Sequence, residues 1–255
     1  MSSDNPRHLA GKVALVTGSS RGLGRAIALR LAECGASVVI NYRSNLAEAE
    51  AVAHIAEGCG AKTLIVQADV SQVDEIGQLF KEVVERFGRL DIVVANAGVE
   101  KVNVPVVDVT EDDFDTLFRI NTKGPYFVMQ AAAKYIEDGG RIISISSSST
   151  ARPQPGLGLY GTSKSAPKYL VRVLALELGH RGITVNSLVP GPIDGAGIFT
   201  GVADDDPYKS GLLATIPIGR LATPSNVADF VEFLASDKSI FITGEEVLMN
   251  GGSSN

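Results

Sequence analysis

The chain has 255 residues, 45% of them hydrophobic, and a formal net charge of −6; mean hydropathy is +0.16 and the isoelectric point about 5.2. Such a chain can bury a large core, and its acidity excludes nucleic acid or an anionic membrane surface as main partner, since both require a basic face. No apolar run reaches the roughly 18 residues of a membrane span, and the three His and two Cys (Cys34 and Cys59) stand in no cluster, so no metal is expected.

Residues 1–10 read as a loose lead-in, and Met1 to His8 lacks the apolar segment of a signal peptide, so a cytoplasmic location is expected. Lys12 to Thr17 predicts a strand. It ends at Gly18-Ser19-Ser20-Arg21-Gly22-Leu23-Gly24, after which residues 25–32 take helical periodicity, closed by Gly35. Glycines between a strand and a helix point to a dinucleotide site. Gly18 would allow the tight turn, Gly22 the approach of backbone to a pyrophosphate, and Gly24 close packing of helix on strand. Ser37 to Tyr42 predicts a second strand, whose end reads Asn41-Tyr42-Arg43-Ser44. An acid there would bond the ribose 2′-OH of NAD. None is present, and Arg43 with Arg21 could pair a 2′-phosphate instead, so NADP(H) is preferred, with NAD(H) an alternative.

Leu46 to Glu57 predicts a helix closed by Gly58, and Thr63 to Ala68 a third strand, followed by Asp69-Val70-Ser71. Asp69 could bond an adenine amino group or cap the following turn. Ser71 with Asp74 and Glu75 should open the next helix, ending at Phe87-Gly88. Asp91 to Ala95 predicts a fourth strand, with the small residues of Asn96-Ala97-Gly98 leaving room for a cofactor. One long helix is expected from Thr110 to about Glu137. It contains Asn121 among apolar neighbours, either a satisfied core amide or part of a proton relay.

Gly140 to Ser147 predicts a fifth strand and Tyr160 the start of another helix, with Pro167 kinking it. Tyr160 and Lys164 are four residues apart and share a helical face. A nearby ammonium would lower the phenol's ordinary pKa of about 10, and a serine at the strand end could hold a carbonyl oxygen against it. Ile183 to Val189 predicts a sixth strand, ended by Pro190-Gly191-Pro192-Ile193. Residues 194–219 read as a substrate lid. Residues 224–236 predict a helix and Glu246 to Met249 a last strand. Strands alternating with helices mean one parallel sheet with helices on both faces, in a single domain over residues 1–255.

These residues together resemble the short-chain dehydrogenase/reductase family, in its compact single-domain branch, from about Lys12 to Gly252. The matching motifs are Thr17-Gly18-x-x-x-Gly22-x-Gly24, Asp69, Asn96-Ala97-Gly98, Asn121, a serine thirteen before Tyr160, Tyr160-x-x-x-Lys164 and Pro190-Gly191. The resemblance implies a Rossmann-like α/β fold, a doubly wound seven-stranded parallel sheet, and a homotetramer or homodimer built partly from the two long helices. It implies that Tyr160 protonates a carbonyl oxygen as hydride arrives and that Lys164 lowers the Tyr160 pKa and bonds the nicotinamide ribose. Ser147 would orient the carbonyl, with Ser149 as fallback on the same side of the strand, and Asn121 would hold a relay water. Ser20, Arg21, Leu23, Tyr42, Arg43, Ser44, Val70, Pro190, Gly191 and Ile193 complete the expected cofactor contacts with the glycines, Asp69 and residues 96–98. Gly195 stands where the family often has Thr. The sequence is much like ketoacyl reductases. Acyl-carrier-protein partners favour basic residues near the end of the long helix, and here the chain reads Tyr135-Ile136-Glu137-Asp138. The expected function is therefore an NADPH-dependent, reversible reduction of a small ketone or aldehyde. A ketoacyl-thioester reductase is the second reading, and a non-catalytic NADP(H)-binding sensor the third.

Overall fold

The computed structural model describes residues 7–253. Seven parallel strands form one sheet in the order β3-β2-β1-β4-β5-β6-β7. The strands are β1 (Val13–Val16), β2 (Ser37–Tyr42), β3 (Thr63–Gln67), β4 (Ile92–Ala95), β5 (Arg141–Ile145), β6 (Thr184–Pro190) and β7 (Glu246–Met249). The helices between them are α1 (Gly22–Glu33), α2 (Leu46–Gly58), α3 (Val73–Phe87), α4 (Glu111–Phe118), α5 (Gly124–Tyr135), α6 (Gly158–Leu178), α7 (Pro207–Leu213) and α8 (Pro224–Ala235).

Strand side chains alternate between two buried faces, as a parallel sheet covered on both sides requires. Ala14, Val16, Val38, Ile40, Val94 and Ile143 pack with α1, α2 and α8. Val13, Leu15, Val39, Val93 and Ile142 pack on the other face with α3, α5 and α6. The order reverses between β1 and β4, and in open α/β sheets ligands bind outside the carboxyl ends of the strands at that switch point. No helix among the described residues is long and apolar enough to cross a membrane.

Several boundaries differ from the sequence expectation, each for a physical reason. The lead-in is not loose from Arg7 onward: Leu9 is buried, its N–H reaches Cys34 O at 2.9 Å, and Arg7 Nη1 donates to Cys59 O at 2.8 Å. Residues 1–6, which carry most of the stretch read for a signal peptide, lie outside the described residues. Helix α3 follows Gln72 rather than Ser71, with no side-chain cap, and Glu75 instead accepts the Asp69 N–H at 2.6 Å. The expected long helix is two helices joined by a π segment, Arg119–Lys123. Pro167 lies within an unbroken α6. Proline frees the carbonyl four residues earlier, and Thr122 Oγ1 donates to that carbonyl, Ser163 O, at 2.7 Å.

Candidate active site

The carboxyl ends of the central strands open into a cleft of about 940 Å³. Every residue expected to contact a cofactor lines it, from Gly18 and Ser20 through Gly24, Tyr42 to Ser44, Asp69, Val70, Asn96 to Gly98, Tyr160, Lys164, Pro190, Gly191 and Ile193. Ser147 lines it too, while Asn121 is fully buried behind it.

The glycine loop is fixed by contacts that run across the sheet. A Cβ on Gly24 would lie 2.3 Å from Gly18 O and 2.6 Å from Asn96 Nδ2, so only glycine lets α1 start this close to β1 and β4. Asn96 Nδ2 donates to Thr17 O at 2.9 Å, and Thr17 Oγ1 accepts from the Asn96 and Ala97 N–H groups at 3.0 and 3.1 Å. Sequence reasoning missed the part played by Asn41. Its Oδ1 accepts the Gly18 N–H at 3.0 Å and its Nδ2 donates to Ala68 O at 3.0 Å. One buried amide thus joins the loop to the ends of β2 and β3. The only trace in the sequence is a polar residue directly after the apolar run Val38-Val39-Ile40.

At the end of β2, Arg21 and Arg43 are both exposed and neither forms an ion pair among the described residues. Residues 41–44 carry no carboxylate; Glu48, in the first turn of α2, also lines the cleft. Asp69 Oδ1 accepts the Ser71 N–H at 2.9 Å, so it caps the turn and also lines the cleft. The main chain from 96 to 98, the α1 N-terminus and two free guanidinium groups fit a dinucleotide with an anionic ribose.

The chemical end lies across the cleft. Tyr160 and Lys164 share one face of α6, both buried. Lys164 Nζ donates to Ile145 O at 3.3 Å and sits where a Cβ on Gly98 would be only 2.8 Å away. Its burial pushes its pKa down to about 8, with Glu100 opposing. Asn121 is held on both sides: its Oδ1 accepts Val99 N–H at 2.9 Å, and its Nδ2 donates to Val99 O at 2.8 Å and Ser163 Oγ at 3.1 Å. Its side chain therefore clamps the residue after Gly98 to α6, and the amide is fully bonded. π segments recur at functional sites because they re-aim the chain within a helix.

Three expectations need correction. Burial raises the Tyr160 phenol above its ordinary range, the Glu100 carboxylate raises it further, and a hydrogen bond with Ser147 opposes them. The lowering expected from Lys164 is not among these causes; its ammonium donates to Ile145 O at 3.3 Å. The strand ends at Ile145, so Ser147 is not on it. Ser147 instead caps the short 3-10 turn Ser148–Thr150, accepting from Ser149 N at 3.3 Å and Ser149 Oγ at 3.1 Å. The strand argument for Ser149 fails, though the two hydroxyls touch. Finally, His8, Cys34 and Glu232, scattered in sequence, do converge, with ligand atoms within 4.8 Å of one another. His8 Nε2 lies 3.0 Å from Glu232 Oε1, and burial pushes the neighbouring Cys34 thiol up to about 11.

Glu100 was also missed. Its Oε1 accepts from Tyr160 Oη at 3.4 Å, and its Oε2 accepts the Ile198 N–H at 2.7 Å. Residues 194–219 are not bare loop: they hold the 3-10 turn Gly197–Phe199 and α7, and Lys209 Nζ lies 2.7 Å from both Asp194 and Asp204. Gly195, at φ +70° with open space around it, lines the cleft.

Comparison with known proteins agrees with this geometry. Residues 18–254 match the family described as Enoyl-(Acyl carrier protein) reductase. A hydroxynaphthalene reductase-like protein Arp2 of Metarhizium brunneum is 40% identical over 268 residues, covering 99% of this chain and 98% of that protein. Among solved structures, a short-chain dehydrogenase of Burkholderia cenocepacia in complex with NADP superposes with TM-score 0.91 at 36% identity, over 97% of this chain and all of that one. The angucycline C-6 ketoreductase LanV with bound NADP gives TM-score 0.90 at 38% identity, over 97% of each chain. With a seven-stranded sheet in this order, the Tyr160–Lys164 pair over its switch point and similarity along nearly its whole length, the chain belongs to the short-chain dehydrogenase/reductase family of oxidoreductases.

Proposed function

We propose that this protein reduces a ketone or aldehyde to an alcohol, reversibly, with NADP(H) as the hydride carrier. The observation that carries the reading is a buried phenol, Tyr160, one helical turn from a buried Lys164, with the Ser147 hydroxyl lining the same dinucleotide-shaped cleft. Bound there, the reduced nicotinamide supplies hydride to the carbonyl carbon. Ser147 and Tyr160 hold the carbonyl oxygen, and Tyr160 gives it a proton. A raised pKa keeps the phenol protonated at neutral pH, the form a reduction needs. Lys164, against Gly98 and Ile145 O, is placed to bond the ribose and to resupply the proton.

Arg21 and Arg43 favour a 2′-phosphate, so NADPH should outperform NADH. Glu137 and Asp138 remain exposed acids at the end of α5, and Arg181 Nε is paired to Asp138 at 2.7 Å. That surface repels an acidic carrier protein and favours a free substrate. Residues 194–219 act as the lid of a single domain. Exposed Tyr126, Tyr169 and Leu176 on α5 and α6 offer an apolar face for self-association, which light scattering would read as a dimer or tetramer. The test of the function is turnover of NADPH and NADH against small carbonyls, with Tyr160→Phe as control. Loss of about 10²–10⁴ in kcat with cofactor binding retained is expected. Unchanged turnover in that variant would overturn the reading.

A further inference from the structure

Glu100 puts a carboxylate where a small apolar substrate has no use for one. Oε2 is committed to the lid through Ile198 N–H at 2.7 Å. Oε1 has Tyr160 Oη at 3.4 Å, long for an O–H···O bond, which is usually 2.5–3.0 Å. A carboxylate can accept about four hydrogen bonds, and these two are those it accepts among the described residues. Its seat is built for it: Gly197 has φ +58°, and a Cβ there would fall 2.4 Å from Glu100 Oε2. The adjacent Lys101 is turned away to Asp113, and Arg152, also in the lining, is bonded to Thr215 Oγ1 at 3.2 Å. The Lys164 ammonium feels the Glu100 charge.

We infer that Glu100 sets the substrate class of this site: carbonyl compounds bearing a hydroxyl one or two carbons from the carbonyl, with acids carrying a carboxylate at that place rejected. The inference rests on the carbonyl-reductase reading above. A carbonyl oxygen bonded to the phenol lies about 2.8 Å from Tyr160 Oη, which leaves Glu100 Oε1 within about 6 Å of it. A neighbouring hydroxyl falls inside that span and donates to an oxygen with spare capacity. A carboxylate in the same place meets a like charge. Through its bond to the Ile198 N–H the same side chain is also tied to the 194–219 segment.

The experiment compares hydroxyacetone, butanone and pyruvate as substrates with NADPH, for wild type, Glu100→Gln and Glu100→Ala, reading ratios of kcat/KM within each protein. In the wild type, hydroxyacetone should exceed butanone at least tenfold, and pyruvate should fall at least tenfold below it. Glu100→Ala should bring both ratios to within about threefold of unity. Glu100→Gln keeps an acceptor but loses the charge, so it should relieve the pyruvate penalty while retaining most of the hydroxyl preference. A wild-type ratio near unity, or ratios unchanged in Glu100→Ala, would overturn the assignment. If Tyr160→Phe turns over butanone as well as wild type does, or wild type with bound NADPH turns over none of the three, it is the reductase reading that falls, and the assignment with it.

Discussion

The two ends of the cleft are built on opposite terms. At the glycine end the polar side chains are bonded on both sides: Asn41 is held by the Gly18 N–H and Ala68 O, and Asn96 by Thr17. At the chemical end the fold keeps an ammonium buried on a single 3.3 Å bond to a carbonyl and a phenol facing a carboxylate. Buried polar groups are inexpensive when fully bonded and costly when not. The first end is shaped for stability and fit, the second for reactivity at stability's expense. Substitutions should therefore move activity and stability together at one end and in opposite directions at the other.

The largest structural effect should come from Gly24→Ala. A methyl 2.3 Å from the Gly18 carbonyl oxygen meets backbone that has nowhere to go, and overpacking of this kind costs about 1–3 kcal/mol. Urea unfolding and NADPH titration should both report it. Asn41→Ala should cost about 1–3 kcal/mol by stranding the Gly18 N–H and Ala68 O, again with weaker cofactor binding.

Lys164→Met should do the reverse, abolishing turnover while stabilising the cofactor-free protein at neutral pH by about 1–3 kcal/mol. The sign follows from its titration. Burial lowers its pKa from 10.5 to about 8, so between those values the unfolded chain holds a proton that the folded chain has lost. The lysine's cost is fully present below about pH 8 and declines as pH rises towards 10.5. The variant's advantage in melting temperature should shrink over that window; an advantage flat with pH would break the contrast between the two ends. The smallest effect belongs to the rim. Arg43→Ala should weaken NADPH about tenfold, the scale of one charge-assisted hydrogen bond, and leave stability and NADH binding unchanged.

The same division explains what could be read from the chain. Gly18 and Gly24 are demanded by close backbone packing, Gly98 by the Lys164 and Asn121 side chains against it, and Tyr160 and Lys164 are set by one helical turn, so local spacing was enough to place them. Short apolar runs bounded by turn residues located all seven strands to within a residue or two. The π segment at Asn121, the clamp by Asn41 and the reach of Glu100 to Ile198 depend on partners from 22 to 98 positions away. No local pattern carries such pairings. The rise of the Tyr160 pKa was missed for the same reason: spacing revealed the lysine, while burial and Glu100 are tertiary facts.

The bond from Thr122 to the Ser163 carbonyl links two positions in inheritance as well as in space. Replace Pro167 by a residue with an N–H and the carbonyl regains a partner within its own helix; Thr122 is then free to drift. Lose Thr122 first and a buried acceptor next to Lys164 in the chain is orphaned. In a randomised library selected for activity, variants at 122 should survive chiefly in clones that have already exchanged the proline, and the order of the two changes would be recorded in their lineage.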